Sequence, residues 1–177
     1  NNGTHELDVA RWALQVGYPI RADVQADKRH FQDDGWEMYD TIEATFRFAG
    51  DKVIQWDGKS RNGYQTYGSG RGTLIYGTEG SVFVNRNEYR IYDRTGAMVK
   101  SYESASQEAG TALGGGGDKS TRHVVHFFNA VRGEGGLNSP IDDGAVTMAM
   151  VHYCNIAYRI GKGFDVDDKT GRMYDRE

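Results

Sequence analysis

The sequence predicts an α+β fold in which helices pack on one face of an open, mainly antiparallel β-sheet. Three features predict it: a helical pattern at the start, a series of short alternating segments, and two helical patterns at the end. The later segments are joined by links of two to four residues, which are too short for the crossovers between parallel strands. The 177 residues suffice for one core, so we expect a single domain over 1–177.

The first helix is predicted at the start of the chain. Thr4 is a suitable N-cap, and Leu7, Ala10 and Leu14 recur at helical spacing after it. Gly17 is placed to end the helix, because glycine accepts the backbone conformation that follows a last helical turn.

The middle of the chain is predicted to form strands. Apolar and polar residues alternate over 20–27 and 42–48, and 52–56 is expected to form a hairpin with the second of these strands. Residues 59–72 form a polar loop rich in Gly, Tyr and Arg. Short meander strands follow at 73–76, 81–84, 88–92 and 98–102, and the glycine-rich stretch 103–117 predicts a mobile surface loop.

Two helices and a short strand are predicted at the end of the chain. The first of these two C-terminal helices covers 119–132. The second begins near Asp142 or Asp143, either of which is a plausible cap, and ends at Gly161. Segment 164–166 is expected to add a short edge strand. Apolar residues at helical spacing predict that both helices pack, and they are Val124, Phe127, Phe128 and Val131 in the first and Val146, Ala149, Met150, Tyr153, Ile156 and Ala157 in the second.

The charge, apolar runs and cysteine content of the chain limit its possible binding partners and its cellular location. The net charge of −4 and the absence of a basic stripe argue against nucleic acid and membrane partners. No apolar run is long enough to span a bilayer, and no signal peptide is visible, so we expect a cytoplasmic protein. The chain has one cysteine, Cys154, which rules out a disulfide framework and is expected to be a buried thiol.

Two sequence motifs resemble ligand-binding sites, but the elements predicted around them do not match those that such sites require. The glycine-rich segment 68–72 precedes a predicted strand instead of opening a helix, so it does not match a dinucleotide-binding turn. His123 and His126 are three residues apart on a predicted helix, but no third ligand is placed to complete a metal site. We therefore expect neither a cofactor nor a metal in this chain alone.

His5 is the candidate catalytic residue. It lies at the very start of the first helix, where unpaired backbone N–H groups disfavour imidazolium and leave a neutral ring able to accept a proton. A histidine that only helps to cap the helix is the structural alternative. Arg61, Tyr64 and Arg71 lie in the polar loop, and such side chains are typical both of sugar or carboxylate recognition and of ordinary hairpin packing.

Four stretches resemble one enzyme family. Residues 3–12 read Gly-Thr-His-Glu-Leu-Asp-Val-Ala-Arg-Trp and resemble the Gly-x-His-x-x-Asp-x-x-Arg-Trp segment of the Gfo/Idh/MocA oxidoreductases, the glucose–fructose oxidoreductase and inositol dehydrogenase family. Segments 77–82, 123–132 and 155–161 resemble the same family in the same order. The resemblance covers nearly the whole chain.

This resemblance implies that the chain is the substrate-binding and oligomerisation domain of a longer parent protein. The parent would bind NAD or NADP through an N-terminal Rossmann domain, which this chain lacks, and would act on a sugar or polyol hydroxyl. His5 would be the acid/base, and Asn1 stands at the position of an aspartate that joins the histidine in substrate binding and proton transfer in the family. An asparagine there can hydrogen-bond a sugar hydroxyl but cannot take a proton.

The resemblance also implies a homo-oligomer through the open face of the sheet, and the isolated chain is expected to be inactive. The alternative is a non-catalytic carbohydrate-binding or assembly module that uses the open sheet and the aromatic loop. The polar face by itself is compatible with either solvent or a subunit interface.

Overall fold

The computed structural model describes residues 3–103 and 118–175, which contain three helices and nine strands. The elements in chain order are α1 (Gly3–Leu14), β1 (Arg21–Asp27), β2 (Thr41–Arg47), β3 (Val53–Lys59), β4 (Thr73–Tyr76), β5 (Gly80–Val84), β6 (Glu88–Asp93), β7 (Met98–Glu103), α2 (Asp118–Val131), α3 (Ile141–Ile160), β8 (Phe164–Val166) and β9 (Met173–Tyr174). Most of the predicted segments therefore agree with the structure to within a few residues. Asn1 and the core of the predicted loop at 103–117 lie outside the described residues.

The strands of the described residues form two open sheets. Within each sheet, all neighbouring strands pair antiparallel. One sheet has five strands in the order β3-β2-β1-β8-β9, and the other has four in the order β4-β5-β6-β7. The α+β class with open antiparallel sheet is confirmed. The sequence pattern suggested one sheet, whereas the structure divides the strands after β3, where the polar loop intervenes.

The core lies between the five-stranded sheet and helices α1 and α3. Ala22, Ala44 and Phe46 are buried on the inner face of this sheet, and Leu7 of α1 and Met150 of α3 are buried against it. The alanines allow the helices to approach the sheet closely, while the polar residues between them point to the other face. The alternation along β1 and β2 thus fixes which face receives the helices.

The ends of two helices differ from the sequence prediction. Thr4 is not the N-cap of α1, because the helix has already begun at Gly3. The helix ends at Leu14 and not at Gly17, because Gln15 directly after it adopts a left-handed φ of 52°. Pro140 caps α3 in place of the predicted aspartates, since its ring fixes φ at −61° before the first turn. Gly161 ends α3 as predicted, with φ of 70°.

Two further predictions about packing are corrected. Strand β8 is not an edge strand: it is fully buried between β1 and β9, because the chain turns back through 167–172 and adds β9 outside it. The apolar stripe of α2 does not pack as expected. Val124, Phe127, Phe128 and Val131 all remain about half exposed or more.

Within the described ranges, no helix combines the length and apolar character needed to cross a membrane.

Candidate functional site

The first turn of α1 lies directly over the five-stranded sheet. A Cβ atom added to Gly3 would come within 2.5 Å of the Trp56 ring of β3, so only glycine permits this close approach. At the other end of the helix, the Lys52 ammonium donates to the carbonyl of Leu14 at 2.7 Å. The helix is therefore held at its start by β3 and at its end by Lys52, the residue that precedes β3.

His5 is exposed on this first turn, and both of its neighbours in the chain are held by other elements. The Thr4 hydroxyl lies 3.8 Å from the Met148 sulfur of α3. Glu6 accepts two hydrogen bonds from Arg71, and its backbone carbonyl accepts a third from Thr73 of β4 at 3.2 Å. The imidazole is thus presented to solvent from a backbone that is anchored on either side.

The contact between Glu6 and Arg71 is a bidentate ion pair. The Arg71 Nε and Nη2 atoms donate to the two Glu6 carboxylate oxygens at 2.8 and 3.1 Å. Such parallel bonds fix the plane of a guanidinium as well as its position. Nη1 of Arg71 has no hydrogen-bond partner in the described part of the chain, so its two N–H donors remain available to a ligand.

A buried polar network fixes α1 to α3. The Arg11 Nε donates to the Thr147 hydroxyl at 3.1 Å, and this hydroxyl donates in turn to the Asp8 carboxylate at 2.7 Å. Arg11 also donates to the carbonyls of Val16 and Asp143, at 2.8 and 2.9 Å. Arg11 and Thr147 are buried, and burial strengthens such hydrogen bonds while making any lost partner costly.

The other residues that the sequence predicts for the site make different contacts in the structure. The Arg61 guanidinium lies over the Phe31 ring, 5.2 Å from its centroid, in a contact between two loops. Tyr64 is among the most exposed aromatic side chains of the described residues. Of these three predicted loop residues, Arg71 is the one whose hydrogen bonds to α1 are described, and its partner Glu6 follows His5 in the chain. Asn1 cannot be placed, because it lies outside the described residues.

The candidate thiol and metal ligands offer no second site. Burial raises the pKa of the Cys154 thiol to about 12, so it stays protonated at neutral pH, as expected for the buried thiol. No cluster of three or more His, Cys, Asp or Glu side chains in the described ranges could hold a metal ion. His123 and His126 lie on α2 without a third ligand there.

The described chain does not offer a dinucleotide cradle of the usual kind. Such a cradle needs a strand that leads through a glycine-rich turn into a helix N-terminus. Here the glycine-rich segment 68–72 leads into strand β4, and Gly72 packs against the Phe83 ring. The exposed imidazole of His5 and the free Nη1 donors of Arg71 fit proton transfer and hydrogen bonding to a small polar molecule.

Sequence reasoning did not single out Glu6 or Thr147 as parts of the site. Glu6 acquires its role from Arg71, which is 65 residues away in the chain. Thr147 lies 136 residues from Arg11. Contacts between residues so far apart in the chain cannot be predicted from local sequence spacing. The sequence does show an acidic residue next to His5 and a glycine at the start of the first helix, and both could have drawn attention to this turn.

The comparisons with known proteins agree with this architecture. Residues 1–163 match the sequence profile described as "Oxidoreductase family, C-terminal alpha/beta domain". No match was found among curated proteins.

Several solved structures share the fold. An oxidoreductase from Agrobacterium radiobacter in complex with NAD+, L-tartaric acid and magnesium has 15% identity and a TM-score of 0.69, over 93% of this chain and 48% of that chain. Levoglucosan dehydrogenase in complex with NADH and levoglucosan has 20% identity and a TM-score of 0.65, over 92% of this chain and 48% of that chain.

The WlbA dehydrogenase from Bordetella pertussis, in complex with NADH and UDP-GlcNAcA, has 12% identity and a TM-score of 0.56, over 94% of this chain and 44% of that chain. The present chain thus spans about half the length of the solved structures it matches. Because the family profile covers nearly the whole chain, the chain belongs to the Gfo/Idh/MocA oxidoreductase family, as its C-terminal alpha/beta domain.

Proposed function

We propose that residues 1–177 form the substrate-binding and oligomerisation domain of an NAD(P)-dependent oxidoreductase that acts on a sugar or polyol hydroxyl. The observation that carries the proposal is the exposed His5 on an anchored first turn, whose next residue, Glu6, holds the Arg71 guanidinium. Family membership and the nicotinamide ligands of the three similar structures support an oxidoreductase parent. We place this parent in the cytoplasm as part of the same proposal.

The substrate class follows from the donors at the site. A sugar or polyol offers hydroxyl groups, and His5 and Arg71 offer a proton acceptor and N–H donors for them. The ligands named with the similar structures are levoglucosan, UDP-GlcNAcA and L-tartaric acid, all of which carry hydroxyl groups. We assign Arg71 a direct role in binding substrate through Nη1. Arg61, Tyr64 and Asn1 remain proposed substrate contacts, and Asn1 lies outside the described residues.

The role of His5 in the reaction is that of a general base. When a nicotinamide cofactor is bound by the rest of the parent, it supplies the acceptor for the hydride that leaves the carbinol carbon. The His5 ring takes the hydroxyl proton, so that the C–O bond of the substrate becomes a carbonyl. In the opposite direction, protonated His5 returns the proton to the forming hydroxyl. Arg71 orients the substrate oxygens without gaining or losing a proton.

Replacement of His5 in the full-length parent tests this proposal. His5→Ala should lower kcat by about 10²- to 10⁴-fold, the usual contribution of a positioned acid/base. His123→Ala, which removes an exposed histidine of α2, is the matched control and should keep its turnover. Steady-state NAD(P) reduction with a panel of sugars and polyols gives the rates, and the isolated chain should show none.

The outcome separates the two candidate functions. Turnover by His5→Ala equal to that of the parent would remove the acid/base role. A parent that binds sugars but reduces neither NAD nor NADP with any of them would instead support the non-catalytic carbohydrate-binding module, for which the exposed Tyr64 and Trp36 rings are the specific structural indication.

A further inference from the structure

The ion pair between Glu6 and Arg71 fixes the charge of this guanidinium as well as its position. The Arg71 Nε and Nη2 atoms donate to the two Glu6 carboxylate oxygens at 2.8 and 3.1 Å. In such a bidentate pair, the carboxylate balances the positive charge of the guanidinium. The two N–H groups of Nη1 therefore meet a ligand as the hydrogen-bond donors of a neutral pair and not as those of an unpaired cation.

Hydrogen bonds to the backbone hold both partners of this pair. The Thr73 hydroxyl donates to the Glu6 carbonyl at 3.2 Å, and Thr73 begins β4 two residues after Arg71. The Ser69 hydroxyl donates to the Arg71 carbonyl at 2.6 Å. The Glu6 side chain is 21% exposed and the Arg71 side chain 44%, so the carboxylate is the more sheltered of the two. We therefore expect Glu6 to stay with Arg71 when a ligand binds to Nη1.

Two further basic side chains are paired with carboxylates at the same end of the five-stranded sheet. Strands β1 and β3 both end there, because each of them pairs antiparallel with β2. Lys28, directly after β1, is paired with Asp34 at 2.6 Å, and Lys59, the last residue of β3, is paired with Asp57. Apart from Arg71, the loop between β3 and β4 contains one other basic residue, Arg61. Arg61 is therefore the cation to compare with Arg71 as a site for an anion.

We infer that Glu6 makes the site select an uncharged sugar or polyol over the corresponding sugar acid. The inference rests on the proposed function, in which Nη1 of Arg71 contacts the substrate, and adds the charge of that substrate and the residue that sets it. A substrate hydroxyl accepts a hydrogen bond from Nη1 without bringing a second negative charge near Glu6. A carboxylate at the same place would lose part of its hydration and lie across the guanidinium from the Glu6 carboxylate, which repels it. Glu6 acts through Arg71 and is therefore a positioning residue.

A sugar acid is the competing substrate. An arginine without a partner would favour it, because a guanidinium binds a carboxylate through two parallel, charge-assisted hydrogen bonds. In this chain the edge formed by Nε and Nη2 already makes that contact with Glu6. The neutral sugar or polyol is therefore the substrate class to which we commit.

Matched pairs of small molecules, measured with the full-length parent, test the inference. Glucose with glucuronate, galactose with galacturonate, and glucitol with gluconate each compare a neutral compound with an acid of the same carbon skeleton. NAD(P) reduction gives kcat/KM for each compound, and isothermal titration calorimetry gives its Kd independently of turnover. In each pair that the parent binds, the neutral member should have the higher kcat/KM and the lower Kd.

Substitutions of Glu6 separate its charge from its shape. Glu6→Gln keeps the shape and an oxygen that accepts from Arg71, but uncovers the charge of the guanidinium. It should raise kcat/KM for the acid relative to the neutral member by about tenfold, between the effects of one charge at about 5 Å in water and in a partly shielded site. This gain should shrink as the salt concentration rises, because ions screen the uncovered charge. Glu6→Asp keeps the charge and should keep the preference for the neutral member. Glu79→Gln, which removes an exposed carboxylate from the turn before β5, is the matched control and should leave the ratio unchanged.

The outcomes distinguish this inference from the proposed function. A Kd ratio that favours the neutral member and shifts in Glu6→Gln, in a parent that reduces neither NAD nor NADP, would support selection by Glu6 and refute the proposed reaction. A parent that oxidises the acid more efficiently than its neutral partner, or a ratio that Glu6→Gln leaves unchanged, would overturn the inference alone. A ratio that shifts equally in Glu79→Gln, or that responds to Arg61→Met and not to Glu6→Gln, would assign the preference to other charges and would also overturn it. A parent that neither binds nor oxidises any of these compounds would overturn both.

Discussion

At the scale of single residues, Asp40 organises the loop between β1 and β2. Its carboxylate is buried and accepts hydrogen bonds from the backbone N–H groups of Arg29 and His30, at 3.1 and 2.8 Å, and from the Thr41 hydroxyl at 3.1 Å. Burial by itself disfavours the charged carboxylate, but these hydrogen bonds outweigh it and lower the pKa of Asp40 to about 2. One side chain thus closes a loop that has no regular structure.

Because of the Asp40 carboxylate, we expect the free energy of unfolding of the domain to fall at acidic pH. The pKa of Asp40 is about 2 in the folded chain, against an ordinary value of 3.8, so the unfolded chain binds the proton more readily. Its stabilising contribution is complete above the ordinary value and is lost as the pH falls from there towards 2. Urea unfolding across this range should show that the difference in free energy between the wild type and Asp40→Asn shrinks as the pH falls.

Glu37→Gln is the matched control for this prediction. Glu37 lies in the same loop but is exposed, so its replacement should leave the acid dependence of the wild type unchanged. A difference between wild type and Asp40→Asn that stays constant down to the lowest pH would contradict the role given to the charge.

At the scale of elements, the buried contact of α1 with α3 depends on the Thr147 hydroxyl. The hydroxyl accepts from Arg11 and donates to Asp8, so both of its hydrogen-bonding functions are used across the helix pair. Thr147→Val keeps the shape but leaves a buried guanidinium N–H and a carboxylate oxygen without this partner. We expect a loss of about 2 kcal/mol in the free energy of unfolding.

Thr147→Ser is the control that separates the hydroxyl from the methyl group. It keeps both hydrogen bonds and loses one buried methyl, so it should cost only about 0.8 kcal/mol. Chemical denaturation monitored by circular dichroism gives both values. An equal loss for the two variants would show that packing, and not the hydroxyl network, joins the helices.

The helices and strands also show which structural features can be predicted from the sequence and which cannot. Alternation in β1 and β2 identifies their strands and their buried faces because successive side chains of a strand point to opposite faces of the sheet, whatever covers them. Periodicity in α2 located the helix but wrongly predicted its burial, since a stripe shows which side is apolar and not what covers it. Strand β8 was predicted as an edge because β9, two residues long, carries no pattern of its own. The pairing of Glu6 with Arg71 depends on how the polar loop crosses to α1, which no local spacing records.

At the scale of the whole molecule, the face of the five-stranded sheet opposite the helices is polar and open. Glu43 and Arg47 are exposed on it, and Arg21 and Asp23 lie on the neighbouring strand. Charges of both signs on one flat face suit a contact between two identical surfaces, because each sign can meet the other across a two-fold axis. This face is therefore the one through which we expect the chain to form a homo-oligomer.

A single long cation near the middle of this face should prevent the association. Thr45 is half-buried there, paired with Asp23 on one side and Gln55 on the other. Thr45→Arg would place an arginine of each copy against the partner sheet, so light scattering after size exclusion should change from an oligomer to a monomer. Ser101→Arg makes the same change on exposed β7 of the other sheet and should keep the oligomer. A monomeric wild type, or an oligomer lost only in Ser101→Arg, would show that the five-stranded sheet is not the interface.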